Sequence, residues 1–157
     1  MKNCFFCEYE LSESLYESKY FYVHLDEYPV NPGHLVIVPK KHVESIFDLT
    51  KVQWNALLDV IEDSKELVGE SDLKRIYNEV KNKTSERKKK KYCQDMIDHG
   101  NADDDPQAFN IGINELIEAG QTVEHVHIHV IPRYSDDVKN SVGGIRNIFP
   151  GKGDYRT

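Results

Sequence analysis

The chain has 157 residues, the size of one domain, because single domains usually span roughly 100 to 200 residues. Hydrophobic residues make up 39% of it and charged residues 30%, which supports a hydrophobic core and excludes a mainly disordered chain. The formal charge of −7 argues against broad nucleic-acid binding and leaves small anionic ligands as candidates. We expect a cytoplasmic protein without a membrane segment, because no run approaches the roughly 18 apolar residues of a span and the first residues lack a signal-peptide pattern.

Two antiparallel strands are predicted near the start of the chain, over residues 19–27 and 34–38. Each segment contains a run of aromatic, leucine and β-branched residues, which favour strands. Pro29, Pro32 and Gly33 lie between the two runs and indicate the turn that joins them.

An amphipathic helix is predicted from Thr50 to about Gly69. Apolar residues recur there at steps of three and four, which is the spacing of one helix face, and Asp48 or Thr50 is available as the N-cap. The residues that carry this pattern are Trp54, Leu57, Leu58, Ile61 and Val68.

Residues 81–106 are interpreted as a charged, solvated insertion that is part helical at its start. Residues 81–91 hold seven basic residues and one acidic residue, a net charge of +6, so the other 146 residues sum to −13. We interpret Arg87–Lys91 as a solvated loop rather than a nucleic-acid surface, because Tyr92 is the one aromatic residue beside it. Nucleic acid is therefore not an expected partner.

Two more strands are predicted after the insertion, over Phe109–Ile113 and Val123–Ile131. The connection Asn114–Gln121 carries Gly120 as a turn residue. The tail that follows is rich in glycine, and we expect it to be mostly loop.

Three histidines alternate with apolar residues in the second of these strands. Because side chains of a strand point alternately to its two faces, His125, His127 and His129 are expected to share one face. The opposite face then packs into the core. The pattern favours a catalytic face, and the alternative is an exposed polar strand or an accidental surface metal clamp. The apolar residues of the alternation are Val126, Ile128 and Val130.

Imidazole chemistry suits attack on phosphorus. A histidine is a competent nucleophile, and its neutral form persists near neutral pH. Phosphoryl and nucleotidyl transfer need mainly positioning and hydrogen-bond donors for the phosphoryl oxygens. Candidate donors lie shortly before the three histidines, at Asn114, Gln121 and Thr122. Each of them alone would be interpreted as a turn residue.

Cys4 and Cys7 form a second candidate site. Two thiolates separated by two residues can share one metal ion. Three cysteines is an odd number in a chain with no export signal, so a disulfide framework is not expected. Two reduced cysteines without a ligand are the alternative that the residues alone leave open.

Several of these segments together resemble one known family. The run His125–Ile131, preceded by Ala119–Val123 and with Pro29–His34 and Pro39–His42 upstream, is similar to the histidine-triad (HIT) superfamily of nucleotide hydrolases and transferases. Within it, the chain resembles most the zinc-carrying microbial proteins described as diadenosine polyphosphate hydrolase-like.

The resemblance covers Cys4 to about Leu58 and Phe109 to about Tyr155, and Ile76–Ala108 is unmatched. It implies an α+β fold, a HIT-like antiparallel sheet with flanking helices, that forms a single domain over residues 1–157 with the charged insertion at about 81–106. It also implies a homodimer across which the sheet continues.

The resemblance implies a hydrolase for a dinucleoside polyphosphate or another nucleoside 5′-phosphate conjugate. His127 would attack the α-phosphate and form a covalent nucleotidyl-histidine, from which water releases the mononucleotide. The other implied contacts are to phosphate by His129, His34, Gln121, Asn114 and Thr122, and to the ribose hydroxyls by Asp26.

The resemblance also implies a structural Zn²⁺ and no organic cofactor. The four ligands would be Cys4, Cys7, His42 and His125. A metal with all four tetrahedral positions filled by protein is structural, because none is open for water.

Two alternative functions stay open, and the sequence departs from the family pattern at one position. In the transferase branch the third histidine is typically Gln, so His129 favours hydrolysis over nucleotidyl transfer. A nucleotide- or nucleic-acid-binding regulator with vestigial activity is the other alternative. The family commonly has glycine at the position of Leu116, whose side chain resists the backbone angles that glycine permits.

Overall fold

The computed structural model describes residues 4–154 and residue 156, so Tyr155, where the resemblance ends, lies outside the described residues. The described chain has an α+β architecture with a five-stranded antiparallel sheet and three α-helices. None of these helices is both long and apolar enough to cross a membrane. The strands are β1 (Tyr16–Glu17), β2 (Phe21–Leu25), β3 (Leu35–Pro39), β4 (Ala108–Gly112) and β5 (Ile128–Arg133), and the helices are α1 (Lys51–Glu70), α2 (Leu73–Lys83) and α3 (Arg87–Ile97).

The strand order β1-β2-β3-β5-β4 places β3 at the centre of the sheet, and every pairing is antiparallel. The predicted pairing of the first two strands is confirmed as β2 with β3. Val36 lies opposite His24 on one side and His129 on the other. This register brings His129 of the predicted triad next to β3, which lies far earlier in the chain.

Helix α1 confirms the predicted amphipathic helix and packs against the sheet. Thr50 and Gln53 form a reciprocal capping box at its start, in which each side chain accepts a hydrogen bond from the other residue's backbone N–H. The buried stripe differs from the expected one, because Trp54 and Leu58 are 43% and 60% exposed. The buried residues of the helix are Gln53, Leu57, Val60, Ser64 and Val68.

The charged insertion corrects the prediction of a solvated loop. Residues 73–97 form a helical hairpin, and Arg87–Lys91 begins α3. Each helix buries two residues one turn apart, Leu73 with Tyr77 and Cys93 with Met96. These four buried residues were the sequence signal for two helices. The many charged residues around them made that signal weak.

The triad segment also differs from the prediction. Strand β5 begins at Ile128, so His125 and His127 precede it instead of lying within it. The alternation still holds for packing, because Val126, Ile128 and Val130 are all buried in the main core. The alternative of an exposed polar strand is wrong, because His125 and His127 are only 0% and 7% exposed.

Candidate active site and metal centre

A cluster of three side chains lies where β2, β3 and β5 meet. His34 Nε2 is 3.0 Å from His129 Nδ1, and Asp26 Oδ2 is 3.7 Å from the first nitrogen and 3.6 Å from the second. The His127 ring lies next to this group, with its centroid 5.0 Å from that of His129. The structure thus brings together four of the residues predicted from the sequence.

The tautomer of His127 is fixed by a backbone carbonyl. Its Nδ1 lies 3.0 Å from the carbonyl oxygen of His125. Because a carbonyl can only accept a hydrogen bond, Nδ1 must carry the proton. The lone pair of a neutral imidazole is then at Nε2, which makes this atom available for nucleophilic attack.

A backbone N–H fixes the tautomers of the other two histidines. The Val30 N–H donates to His34 Nδ1 at 3.4 Å, so His34 carries its proton at Nε2. That proton is donated to His129 Nδ1, so His129 in turn carries its own proton at Nε2. The chain of bonds ends at a neutral imidazole whose Nε2–H can donate to a phosphoryl oxygen.

Burial keeps both of these histidines neutral near pH 7. Burial is the main cause that lowers the pKa of His34 below its ordinary value, and the opposing effect of Asp26 is smaller. Burial and then His127 lower the pKa of His129. Asp26, His34 and His129 have the residue types of a metal site, but the proton at His34 Nε2 occupies the position that a metal would need.

A second cluster joins the N-terminal segment to the triad. Cys4 Sγ and Cys7 Sγ each lie 3.6 Å from His125 Nδ1, and Cys7 Sγ lies 3.3 Å from His42 Nδ1. The His125 Nε2–H donates to the Pro39 carbonyl at 2.9 Å, so the lone pair at Nδ1 faces the two sulfur atoms. The structure therefore brings together all four predicted metal ligands.

The distances from His125 to the two sulfur atoms fit a tetrahedral zinc ion, and the 3.3 Å between Cys7 Sγ and His42 Nδ1 is slightly shorter than such an ion would give. Zinc–sulfur bonds of about 2.3 Å and zinc–nitrogen bonds of about 2.05 Å at tetrahedral angles separate sulfur from nitrogen by about 3.6 Å. Both distances from His125 agree with this value. The hydrogen bond of His125 to a carbonyl is the type of outer contact that orients a metal-bound histidine.

The N-terminal segment covers the histidines. Phe6 lies between Cys4 and Cys7 in the sequence. The centroid of its ring is 5.0 Å from that of His127 and 5.8 Å from that of His125. A metal ion held by Cys4 and Cys7 would therefore fix an apolar ring against His127.

The predicted phosphate donors occupy different environments. The Gln121 amide is engaged by the backbone, because its Nε2 donates to the Glu44 and Val123 carbonyls at 3.0 and 2.9 Å and its Oε1 accepts from the Leu116 N–H at 2.8 Å. Asn114 lines a cavity together with His34 and His129. Thr122 is exposed. The catalytic and binding roles of these residues remain predictions.

Two cavities border the cluster of Asp26, His34 and His129. The larger, of about 580 Å³, is lined by His34, His129, Asn110, Asn114 and Arg133 among others. The smaller, of about 250 Å³, reaches Asp26 and lies between β2 and the α2–α3 hairpin.

The larger cavity is also lined by Asn110 and by Arg133, which the resemblance to the family makes a candidate contact for a second nucleotide or a partner subunit. Arg133 donates to both oxygens of Asp137 at 2.7 and 2.8 Å and to Asn110 Oδ1. The Arg133 guanidinium is the main cause that lowers the pKa of Asp137 to about 2. The sequence held a signal for this pair, because Asp137 follows Arg133 by four residues just after the triad. Nothing in the sequence indicates Asn110.

Comparison with known proteins assigns the chain to a family. The family model described as HIT domain matches residues 10–136. The chain belongs to the HIT domain family. A HIT family protein from Bacillus anthracis has a similar structure, with a TM-score of 0.55 and 27% identity over 86% of this chain and 76% of that chain.

HIT relatives with named activities are longer than this chain. The bis(5′-nucleosyl)-tetraphosphatase of Schizosaccharomyces pombe is 28% identical over 87% of this chain and 58% of its own length. The AP-4-A phosphorylase of Mycobacterium tuberculosis is 29% identical over 83% of this chain and 52% of its own length. The chain thus spans about half the length of these two HIT relatives.

Leu116 adopts backbone angles that suit glycine. Its φ is 64° and its ψ is 178°, a region that is essentially restricted to glycine. The departure noted in the sequence is therefore a real strain, and Gln121 holds it through hydrogen bonds to both the N–H and the carbonyl of Leu116.

We expect Leu116→Gly to stabilise the protein by about 1 kcal/mol, because the strain of roughly 1–3 kcal/mol exceeds the entropic cost of glycine. Ile117→Gly is the control, since Ile117 is exposed and has no positive φ. Urea unfolding measures both free energies. A loss of stability in Leu116→Gly equal to that in Ile117→Gly would contradict the assignment of strain.

His24 should make stability depend on pH. Burial lowers its pKa to about 4, whereas an unfolded histidine titrates near 6.5. The unfolded chain therefore binds a proton that the folded chain rejects, so stability is fully present above about pH 6.5 and falls as the pH drops towards 4.

We expect His24→Phe to reduce this acid-side loss by about 1–3 kcal/mol. Free energies of unfolding between pH 7 and 4.5 test the expectation. Tyr9→Phe is the control, because Tyr9 stacks on His24 and titrates only near pH 12. Identical pH dependence in wild type and His24→Phe would refute it.

Proposed function

We propose that the protein is a nucleotide hydrolase acting at the α-phosphate of a dinucleoside polyphosphate or another nucleoside 5′-phosphate conjugate. The observation that carries the proposal is the bond from His127 Nδ1 to the His125 carbonyl. In the neutral form of His127 it places the lone pair at Nε2, beside a second imidazole that can donate a hydrogen bond.

In the first step, the Nε2 lone pair of His127 forms a bond to the α-phosphorus. The bond from phosphorus to the leaving oxygen breaks, and its electron pair departs with the leaving group. The His127 ring becomes cationic, and the His125 carbonyl that accepts from Nδ1–H stabilises this charge. His129 Nε2–H donates to the phosphoryl oxygens, where negative charge is concentrated.

In the second step, water attacks the same phosphorus. The phosphorus–nitrogen bond breaks and its electron pair returns to Nε2. One water is consumed, its oxygen stays on the mononucleotide, and its two protons distribute over the phosphate oxygens of the two products according to pH. Asp26 Oδ2 faces both His34 and His129 at the end of β2, and we assign it to the ribose hydroxyls.

We propose that Cys4, Cys7, His42 and His125 bind a structural zinc ion. The support is the grouping of the four donor atoms within 4.8 Å of one another, the two sulfur–nitrogen distances of 3.6 Å from His125, and the carbonyl bond that directs His125 Nδ1 at the sulfur atoms. When bound, the ion supplies fixed coordination and no open position. The chain's own residues then hold the Phe6 ring against His127.

We propose a homodimer in which β4 continues the sheet across the two subunits. Strand β4 is an edge strand, and unpaired edges are usually protected. Apolar side chains remain exposed on β4 and on α1, where Ile111 is 41%, Trp54 43% and Leu58 60% exposed. A second copy of the chain would cover both features.

Phosphorolysis is the second candidate reaction, favoured by the similarity to an AP-4-A phosphorylase. It differs in the second step, where inorganic phosphate instead of water attacks the phosphorus. Products formed with and without added phosphate separate the two reactions, because phosphorolysis of a diadenosine compound yields ADP in place of AMP. We expect AMP under both conditions.

His127→Asn tests the nucleophile. Asparagine retains an N–H donor near the His125 carbonyl but lacks Nε2, so the fold should persist. We expect the release of mononucleotide to fall at least about 10³-fold. Chromatography of the products measures turnover, and intact mass after an alkaline quench detects the covalent adduct in wild type. Activity above a tenth of wild type would remove His127 from this role.

Zinc content tests the metal centre. We expect about one zinc per chain in the wild type and far less in Cys4→Ser, because one of four ligands is lost. Cys93→Ser is the matched control, since Cys93 is a buried thiol in α3. Elemental analysis of the purified proteins gives the ratio. Equal zinc in the two variants would contradict the ligand set.

A further inference from the structure

The α2–α3 hairpin carries a concentrated positive charge in an acidic protein. Residues 73–97 hold nine basic and three acidic residues, a net charge of +6, whereas the whole chain has a net charge of −7. The charges are also separated along α3, because Arg87–Lys91 begins the helix and Asp95 and Asp98 lie at its end. A local patch of this kind attracts anions even when the protein as a whole is acidic.

The contacts that dock the hairpin use only some of these cations. Lys89 forms an ion pair with Glu27, and Lys91 forms one with Asp95. The other four cations at this end of the hairpin are exposed, and no acidic side chain in the described part of the chain pairs with them. They are Lys83, Arg87, Lys88 and Lys90. Packing within the protein therefore does not account for their charges.

The order of charge along α3 does not stabilise the helix either. Its first turn contains basic residues and no acidic residue, and the side chain of the N-cap, Glu86, makes no capping bond. Cations are unfavourable near the N-terminus of a helix, and acidic groups are unfavourable near its C-terminus, because of the helix dipole. A bound anion beside Arg87–Lys91 would offset this cost.

Two aromatic rings lie beside the cations. The Tyr28 ring meets the Tyr92 ring edge to face, with centroids 5.3 Å apart. The Lys88 ammonium lies 4.7 Å from the centroid of the Tyr28 ring, which is 36% exposed. The sequence places only Tyr92 next to the basic run, and the fold adds Tyr28 from the segment after β2.

An exposed aromatic ring among cations suits single-stranded nucleic acid. Lysine and arginine contact the phosphates of such a strand, and its unpaired bases stack on aromatic side chains. An acidic peptide offers the same charge but has no base to stack on Tyr28. The Tyr28 hydroxyl donates to Glu86 at 3.0 Å, which orients the ring and engages the one acidic side chain among residues 81–91.

We propose that this end of the α2–α3 hairpin, together with Tyr28, binds single-stranded nucleic acid. The four unpaired cations contact the phosphates, and the Tyr28 ring stacks on a base. The inference goes beyond the proposed function and does not depend on it, because binding is measured without turnover.

Fluorescence anisotropy of the full-length protein with a labelled oligodeoxythymidine of about 20 nucleotides tests the proposal. Four phosphate contacts predict that the logarithm of the binding constant falls with the logarithm of salt concentration with a slope of about −3. We expect polyglutamate of equal charge to bind at least tenfold more weakly. Equal affinity for polyglutamate would assign the surface to an acidic polypeptide and overturn the proposal, as would the absence of oligonucleotide binding at about 50 mM salt.

Arg87→Glu separates binding from folding. We expect the affinity for the oligonucleotide to fall at least fivefold, while the melting temperature is maintained or rises, because an acidic residue suits the first turn of a helix. Lys19→Glu is the matched control, since Lys19 is exposed between β1 and β2 and the change in net charge is the same. Equal losses in the two variants would reduce the effect to net charge and refute this location.

Tyr28→Leu tests the stacking contact, with Tyr28→Phe as the control that keeps the ring. We expect the leucine variant to bind the oligonucleotide at least about fivefold more weakly and the phenylalanine variant to stay within twofold of wild type. Binding of a duplex of the same length should be the same in both variants, because its bases are already stacked. Unchanged oligonucleotide affinity in Tyr28→Leu would leave a surface for any polyanion and overturn the proposal.

Discussion

The arrangement of the site depends on hydrogen bonds between backbone groups and imidazole rings. A carbonyl holds the proton of His127 at Nδ1, another holds that of His125 at Nε2, and a backbone N–H starts the chain through His34 to His129. Each bond selects one of two tautomers, and the tautomer decides which ring nitrogen can attack, donate or bind a metal. The same residue type thereby has three different chemical properties within one short segment.

His125 connects the two clusters. Its ring faces Cys4 and Cys7, and its carbonyl accepts the proton that orients His127. The ring of Phe6, between the two cysteines, lies against both histidines. Metal binding in the proposed zinc site would therefore act on the nucleophile through one residue and one covering ring, with no need for the ion to touch a substrate.

Two segments that look irregular in the sequence are held in place by specific contacts. The loop at Leu116 is strained, and the buried amide of Gln121 holds it. The α2–α3 hairpin is charged on its surface, yet it is docked on the segment of Asp26 through Tyr77 and Lys89. The hairpin places side chains at the margin of the smaller cavity, where variation alters what can bind without altering the sheet.

The sequence by itself determined the α+β class, helix α1, the pairing of β2 with β3, and the residues of both clusters. The first three follow from local periodicity and turn signals. In the clusters, short spacing indicated the cysteine pair and the three histidines of the triad, whereas the resemblance to the HIT family supplied Asp26, His34 and His42. Only the tertiary structure decided the tautomers, because Val30, Pro39 and the His125 carbonyl act through backbone groups that any residue could supply. It also decided that the charged segment is a helical hairpin against Asp26, because two buried residues per helix are a weak signal until a partner surface exists for them.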